Sequence, residues 1–266
     1  MILIIIFILL ISNCSSQSLA QTKRLEENEF SLLLDSLNLK GSILVYDQQL
    51  DRFHCNDFSW AESKFTPAST FKIPNSIIGL ETGVLSDSTI FEWDGKPRRM
   101  KIWDQDLNLV NAFQYSCVPC YQENARKIGL DRMKEYLQKL NYPGMIFDKN
   151  SLDKFWLEGE SRISSFEQMD FIIRFHNNKL PISKSTKEIM MKLLKQDTSD
   201  NATFYGKTGW AIRVKENIGW FVGFQEVEER VYFVVVNVKP KGSFSTNDFL
   251  KSRITAAKKA IKIIVD

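Results

Sequence analysis

The sequence predicts an α/β protein of the α+β type, with a mixed or antiparallel sheet built from both ends of the chain and flanked by helices. Three β-branched and aromatic runs carry this prediction, GSILVYD at 41–47, NIGWFVGF at 217–224 and VYFVVVNV at 231–238. The charged segment QEVEER between the last two runs predicts that they form a hairpin. We expect a functional cleft where this sheet meets the middle of the chain.

The middle of the chain has helical periodicity instead. Apolar residues recur at helical spacing over 125–140, which predicts one helix there. Ser164 followed by Glu167 forms a capping box that predicts the start of another helix. Residues 254–265 have the pattern of a C-terminal helix. We therefore expect an all-helical subdomain, inserted over roughly residues 85–195.

Composition and charge are those of an ordinary globular protein. Of the 266 residues, 44% are hydrophobic and 25% are charged, so the chain can bury a sizeable core. The net charge is only +3 and the basic residues are spread along the chain, which argues against a nucleic-acid-binding protein. The sequence predicts one catalytic domain over 21–266.

The start of the chain differs from the rest. Residues 1–11, MILIIIFILLI, are all apolar, but a bilayer-spanning helix needs about 20 such residues. The run fits a secretory signal over 1–20 with cleavage after Ala20, although a positively charged start is missing. Cys14 offers an alternative as a lipid anchor. We expect an exported protein, periplasmic in a host with an outer membrane, with no membrane span.

Cysteine and histidine usage does not favour a metal site. Cys117 and Cys120 form a single Cys-x-x-Cys, which could be a redox pair or half of a zinc site. No second such pair exists, and the only histidines, His54 and His176, are far apart in sequence. We expect no metal. These two cysteines and Cys55 are predicted to be small buried thiols.

The stretch PASTFKI places Ser69 and Lys72 three residues apart at a predicted helix start. Pro74 supports that start, because proline is tolerated only in the first turn of a helix. One interpretation is a helix cap followed by a solvated lysine. The other is a nucleophile with its base, since a desolvated lysine loses its proton more easily. Spacing alone does not decide, because Ser151 and Lys154 repeat it.

Two further motifs follow in the chain. Ser116 begins the triplet Ser-Cys-Val, which ends at Val118, and Lys207-Thr208-Gly209 precedes a predicted strand. Each is weak alone, and the second could be a hairpin turn. The order of Ser-x-x-Lys, a serine triplet and Lys-Thr-Gly is typical of penicillin-recognising serine enzymes.

With these motifs in that order, the sequence closely resembles the class D β-lactamases, or oxacillinases, over roughly residues 27–265. The landmarks that carry the resemblance are PASTFKI, SCV at 116–118, DKFWLEG at 153–159, YGKTG at 205–209 and GWFVG at 219–223. One landmark departs from the family. Tyr142-Pro143-Gly144 stands where the family usually has Tyr-Gly-Asn, so no catalytic role is carried over to Gly144.

The resemblance implies a covalent mechanism. Ser69 attacks the β-lactam carbonyl and forms an acyl-enzyme. Lys72 is N-carboxylated by carbon dioxide and acts as the general base, with no other cofactor. Trp156 hydrogen-bonds the carbamate, although packing alone would also explain a buried tryptophan. Ser116 relays a proton to the lactam nitrogen.

The resemblance also implies how the substrate is bound. Lys207 and Thr208 hold its carboxylate, and the backbone N–H groups of Ser69 and Trp210 form the oxyanion hole. An arginine expected in the last helix corresponds to either Lys251 or Arg253. The implied substrate-binding positions are Val118, Trp156, Thr208, Gly209, Trp210 and Arg253.

Two related functions remain open beside a β-lactamase. A β-lactam receptor shares these motifs and is acylated without turnover, but it normally follows a long membrane-embedded region. A penicillin-binding transpeptidase acting on peptidoglycan is usually longer and does not have the Phe-Trp-Leu-Glu-Gly block at 155–159. We therefore expect a monomeric or homodimeric enzyme whose partner is a small-molecule β-lactam substrate.

Overall fold

The computed structural model describes residues 22–199, 201–215 and 217–265. The predicted signal segment 1–20, with Cys14, lies outside the described residues. The elements follow the chain in the order β1 (Lys23–Glu26), α1 (Asn28–Ser36), β2 (Leu39–Asp47), β3 (Arg52–Cys55), α2 (Phe58–Glu62), β4 (Lys64–Phe65), α3 (Lys72–Glu81), β5 (Ile90–Phe91), β6 (Leu107–Asn108), α4 (Leu109–Gln114), α5 (Val118–Ile128), α6 (Leu130–Lys139), β7 (Ile163–Ser164), α7 (Ser165–His176), α8 (Lys184–Leu194), β8 (Lys195–Ser199), β9 (Ala202–Ala211), β10 (Ile218–Val227), β11 (Arg230–Pro240) and α9 (Thr246–Val265). Short 3₁₀ turns at Ala68–Phe71 and Lys101–Trp103 complete the set.

Both ends of the chain build the main sheet, as predicted. Its strand order is β1-β3-β2-β11-β10-β9-β8, so the N-terminal strands lie directly beside the C-terminal ones. Only β1 and β3 pair in parallel, and the other neighbours are antiparallel, which makes the sheet mixed. Strands β10 and β11 form the predicted hairpin, in which Val227 pairs with Arg230 across a two-residue turn.

Alternating side chains on β11 divide the core into two layers. Val234 and Val236 pack on the side of α1 and α9, whereas Phe233 and Val235 face the helical part of the chain. This period of two is the pattern of a central strand whose two faces are both covered. The helical part therefore covers one face of the sheet, and the cleft lies along their junction.

The inserted region is mostly helical, with α4–α8 between β6 and β8. It also contains short strands that the sequence did not predict. Strand β5 pairs with β6, and β7 pairs with β4, each over two residues. No helix in the described part of the chain combines the length and apolar character needed to cross a membrane.

Three helix predictions have different outcomes. The single helix expected over 125–140 is wrong, because the chain breaks between α5 and α6 at Gly129, whose φ of 84° is left-handed. The capping box of Ser164 and Glu167 is confirmed at the start of α7. The C-terminal helix begins earlier than expected, at Thr246, where Phe249 anchors its first turns in the core.

Candidate active site

Ser69 lies in the 3₁₀ turn Ala68–Phe71, which leads directly into α3 at Lys72. The preceding Ala68 has a φ of 50°, an uncommon conformation for a residue with a side chain. Hydrogen bonds hold the turn: the Thr70 hydroxyl donates to the Pro67 carbonyl at 2.7 Å and accepts from the Gln168 amide at 2.7 Å. This tight turn leaves the Ser69 side chain half-buried at the cavity wall.

Lys72 is fully buried one turn behind the serine. Its Nζ lies 3.1 Å from Ser69 Oγ, within hydrogen-bond distance. Burial lowers the pKa of Lys72 well below its ordinary value, and the positive charges of Lys207 and Arg213 lower it further. A neutral amine has a lone pair, so this side chain can accept the proton of the serine hydroxyl.

A second serine–lysine pair lies across the same site. Lys207 Nζ on β9 donates to Ser116 Oγ at 2.8 Å and to the Thr208 carbonyl at 3.1 Å. Burial, followed by the charge of Arg253, lowers the pKa of Lys207 to about 7. Ser116 occupies the turn between α4 and α5 with a φ of 57°. Two hydroxyls are thus each paired with a lysine that is easily deprotonated.

The triplet that contains Ser116 carries a disulfide. Cys117 and Cys120 are bonded, with Cα atoms 5.4 Å apart, so the prediction of two unpaired thiols is wrong. Cys117 caps α5 and Cys120 lies in its first turn, which brings positions three residues apart within disulfide reach. Cys55 remains a buried thiol. The described residues contain no cluster of three or more His, Cys, Asp or Glu that could hold a metal ion.

Gly209 lets strand β9 pack against the 3₁₀ turn that contains Ser69. A Cβ atom at this position would lie 3.1 Å from the Pro67 carbonyl oxygen and 3.2 Å from the Thr70 nitrogen, closer than most real contacts. The neighbouring Trp210 is half-buried, and its indole N–H donates to Asn217 at 2.7 Å. The close approach places Ser69 and Trp210 on the wall of one cavity.

This cavity has a volume of about 730 Å³. The predicted site residues in its wall are Ser69, Ser116, Val118, Thr208, Gly209, Trp210 and Arg253. Lys72, Lys207 and Trp156 are buried. The structure thus brings seven of the predicted residues to one cavity wall, from the 3₁₀ turn before α3, the start of α5, β9 and α9.

Of the two candidates in the last helix, Arg253 lines the cleft. It is buried against Gly209, whose carbonyl accepts from its guanidinium, and it also donates to the Leu250 carbonyl at 3.1 Å. A Cβ atom at Gly219 would lie 2.6 Å from Arg253 Cδ, so that glycine makes room for the guanidinium. Lys251 is exposed and borders a different surface cleft.

Trp156 is fully buried, with its indole stacked on Phe71 at 5.2 Å between ring centroids. Within the described residues, its Nε1–H has no hydrogen-bond partner. Buried N–H groups are nearly always satisfied, so an orphaned one indicates a missing acceptor.

The segment Tyr142-Pro143-Gly144, which departs from the family pattern, has a structural role in this chain. Gly144 has a φ of 77°, and a Cβ atom there would lie 1.9 Å from the Arg162 carbonyl oxygen. The Tyr142 hydroxyl donates to Gln168 at 3.2 Å, and the Gln168 amide in turn donates to Thr70 in the 3₁₀ turn that contains Ser69. The segment therefore supports the site from behind.

Part of the cavity wall was missed by motif reasoning. The irregular segment from Arg98 to Trp103 lines the cleft together with Tyr115 and Arg213. The Trp103 indole donates to the Tyr115 carbonyl at 2.9 Å, which ties this segment to the end of α4. In the sequence, the adjacent Arg98 and Arg99 directly after Pro97 were the feature that could have pointed to this part of the wall.

Comparison with known proteins shows which families this chain resembles. Residues 37–262 match the penicillin-binding protein transpeptidase domain. The β-lactamase OXA-48 of Klebsiella pneumoniae is 36% identical over 224 residues, which are 84% of this chain and 83% of that protein. The crystal structure of a class D β-lactamase YbXI from Nostoc superposes with a TM-score of 0.84 at 38% identity, covering 88% of this chain and 98% of that one.

A receptor is a more distant relative. The regulatory protein BlaR1 of Bacillus licheniformis is 26% identical over 80% of this chain, but the match covers only 36% of that protein. Sequence identity to these β-lactamases is higher than to that protein. With its serine–lysine pairs and Lys-Thr-Gly strand gathered in one cleft, the chain belongs to the class D β-lactamase family.

Proposed function

We propose that this chain hydrolyses β-lactam antibiotics through an acyl-enzyme on Ser69. The observation that carries the proposal is the fully buried Lys72, whose Nζ lies 3.1 Å from the Ser69 hydroxyl and whose pKa burial lowers. A lysine in this state can accept the proton as Ser69 Oγ attacks the lactam carbonyl. The carbonyl oxygen then becomes an oxyanion, for which the backbone N–H groups of Ser69 and Trp210 are the proposed donors.

Ring opening requires a proton at the lactam nitrogen. Ser116 is the proposed donor, since Lys207 is bonded to its hydroxyl at 2.8 Å and can replace the proton that leaves. Thr208 and Arg253 line the same cavity and would hold the substrate carboxylate, with the charge of Lys207 behind them. Before deacylation, Lys72 releases the proton that it took from Ser69 to water in the cleft, and Lys207 regains one. Water then attacks the ester carbonyl while the neutral Lys72 takes its proton. Lys72 passes this proton to Ser69 Oγ as the ester bond breaks, and the product leaves as the ring-opened acid.

The residues around Lys72 fit a carbamate formed with carbon dioxide. Only a neutral amine reacts with carbon dioxide, and the depressed pKa of Lys72 provides that form. The orphaned indole N–H of the buried Trp156 supplies a donor that could hold the added group. When bound, the carbamate would supply an anionic oxygen as the general base in place of the amine.

Steady-state turnover of nitrocefin separates this proposal from a receptor. We expect the purified chain to hydrolyse many equivalents per molecule, with a Ser69 adduct that intact-mass spectrometry detects only transiently. A single burst equivalent with a persistent adduct would identify a receptor instead. Failure to form any adduct with penicillins would remove both.

We propose further that the chain is exported, to the periplasm in a host with an outer membrane. The apolar run at 1–11 supports export. The Cys117–Cys120 disulfide supports it independently, since disulfides persist in oxidising compartments. Fractionation with intact-mass analysis would show a chain shortened by 20 residues, whereas lipid labelling lost in Cys14→Ser would establish the anchor.

A further inference from the structure

The charge of the cavity wall is one-sided. Four arginines line it, Arg98, Arg99, Arg213 and Arg253. No aspartate or glutamate is among the described residues in this wall. A cleft lined by one sign of charge focuses its field and raises the local concentration of ligands with the opposite charge. The charge of this wall therefore favours the binding of anionic ligands.

Three of these arginines already have partners. Arg253 is bonded to backbone carbonyls, Arg213 lies 3.8 Å from Glu158, and Arg98 lies 3.8 Å from Asp94. Arg99 is exposed. Within the described part of the chain it forms no ion pair, whereas its neighbour Arg98 pairs with Asp94. One substrate carboxylate held near Arg253 would leave the charge of Arg99 unmatched.

Arg99 stands beside an apolar ledge in the same wall. Met100, Ile102 and Tyr115 are 44%, 41% and 37% exposed and line the cavity together with Arg99. The buried Trp103 fixes this ledge through its bond to the Tyr115 carbonyl. An aromatic group could lie on these side chains and bury apolar surface.

We infer that Arg99 and this ledge form a subsite for the acyl side chain that favours β-lactams whose aromatic side chain carries an anionic group. The inference rests on the proposed hydrolase function and names its substrate class. The ledge receives the aromatic ring, and Arg99 pairs with the anion. Charge at the side chain, rather than its size, then decides the preference among otherwise matched penicillins.

Three penicillins test this subsite, because they share the nucleus and the phenyl ring and differ at one carbon. Benzylpenicillin has a hydrogen there, carbenicillin a carboxylate and ampicillin an ammonium. We would measure kcat/KM for each with the unmodified chain, with Arg99→Gln and with Lys184→Gln. Lys184 is 91% exposed at the start of α8, so its replacement removes the same charge outside the cavity wall.

We expect Arg99→Gln to lower the carbenicillin-to-benzylpenicillin ratio by about three- to fivefold, the range of a partly solvated ion pair. The ampicillin-to-benzylpenicillin ratio of kcat/KM should rise in Arg99→Gln. In the unmodified chain, 1 M salt should weaken both the preference for carbenicillin and the discrimination against ampicillin. Lys184→Gln should leave the ratios unchanged. Equal ratios in all three proteins would overturn the subsite.

The subsite and the hydrolase function fail separately. Turnover of benzylpenicillin with unchanged ratios in Arg99→Gln removes the subsite and keeps the enzyme. If the chain is acylated without turnover, the hydrolase proposal fails, and the same ratios taken from acylation rate constants still decide the subsite. Thermal unfolding checks that the exposed Arg99 can be replaced without loss of fold.

Discussion

The chain contains two Ser-x-x-Lys copies, and their surroundings differ completely. Lys72 is fully buried, and its Nζ lies 3.1 Å from the Ser69 hydroxyl. In the second copy, the Ser151 hydroxyl donates instead to Asp148 at 2.7 Å, and the Lys154 side chain is 46% exposed and 3.8 Å from Glu158. Identical spacing thus gives one coupled pair and one pair of ordinary surface residues.

The difference teaches that burial, and not spacing, gives the motif its chemistry. Lys72 loses solvation inside the core, so its neutral form is favoured and its pKa falls. Lys154 stays on the surface, in contact with water and 3.8 Å from the Glu158 carboxylate. The two copies therefore serve as matched controls for each other.

Replacement of the two serines should give the largest contrast. Ser69→Ala should lower nitrocefin turnover by roughly 10³-fold or more, because the attacking group is gone. It should fold normally and show no penicillin adduct by intact-mass spectrometry. Ser151→Ala should keep full turnover. An adduct of one equivalent on Ser69→Ala would place the nucleophile elsewhere.

Replacement of the two lysines should follow. Lys72→Ala should lower kcat by roughly 10²- to 10⁴-fold, the usual contribution of a general base. Any residual acylation should leave a long-lived acyl-enzyme. In the unmodified chain, turnover should fall as acid protonates Lys72, because the charged amine has no lone pair. Lys154→Ala should change neither kcat nor its pH profile, and a shifted profile in that variant would contradict the comparison.

The carbamate should give a smaller and reversible effect. After removal of dissolved carbon dioxide at mildly acidic pH, turnover should fall and bicarbonate should restore it. Trp156→Phe removes the N–H donor, so we expect about tenfold lower turnover and a need for more bicarbonate. Full activity of this variant without bicarbonate would refute the carbamate. Lys154 is 46% exposed, and Lys154→Ala should respond to bicarbonate as the unmodified chain does.

The last effect should be on stability rather than on turnover. The pKa of Lys207 is about 7 in the folded chain against 10.5 as its ordinary value, so between these values the unfolded chain binds more protons. The free energy of unfolding should therefore rise with pH in this window, by up to about 1.4 kcal/mol per unit from this group. The free energy of unfolding, measured with urea at several pH values, should rise less steeply with pH in Lys207→Met. Its dependence on pH should be unchanged in Lys154→Met.

Much of the fold followed from local pattern. The β-branched and aromatic runs that became β2, β10 and β11 predicted the sheet, and the capping box predicted the start of α7. The break at Gly129 was missed because the apolar stripe continues across it, with Met133 and Leu137 still buried. Periodicity records which face is buried, and it does not record whether the axis bends.

The sequence by itself determined the ordered motifs, and with them the family and the proposal that Ser69 is the nucleophile with Lys72 as its base. Only the tertiary structure decided that Arg253 rather than Lys251 lines the cleft, and that Arg98 to Trp103 form another part of its wall. It also decided which of two identical spacings pairs a serine hydroxyl with a buried lysine. The reason is physical: spacing along the chain is local, whereas desolvation and the sum of nearby charges depend on residues that only folding brings together.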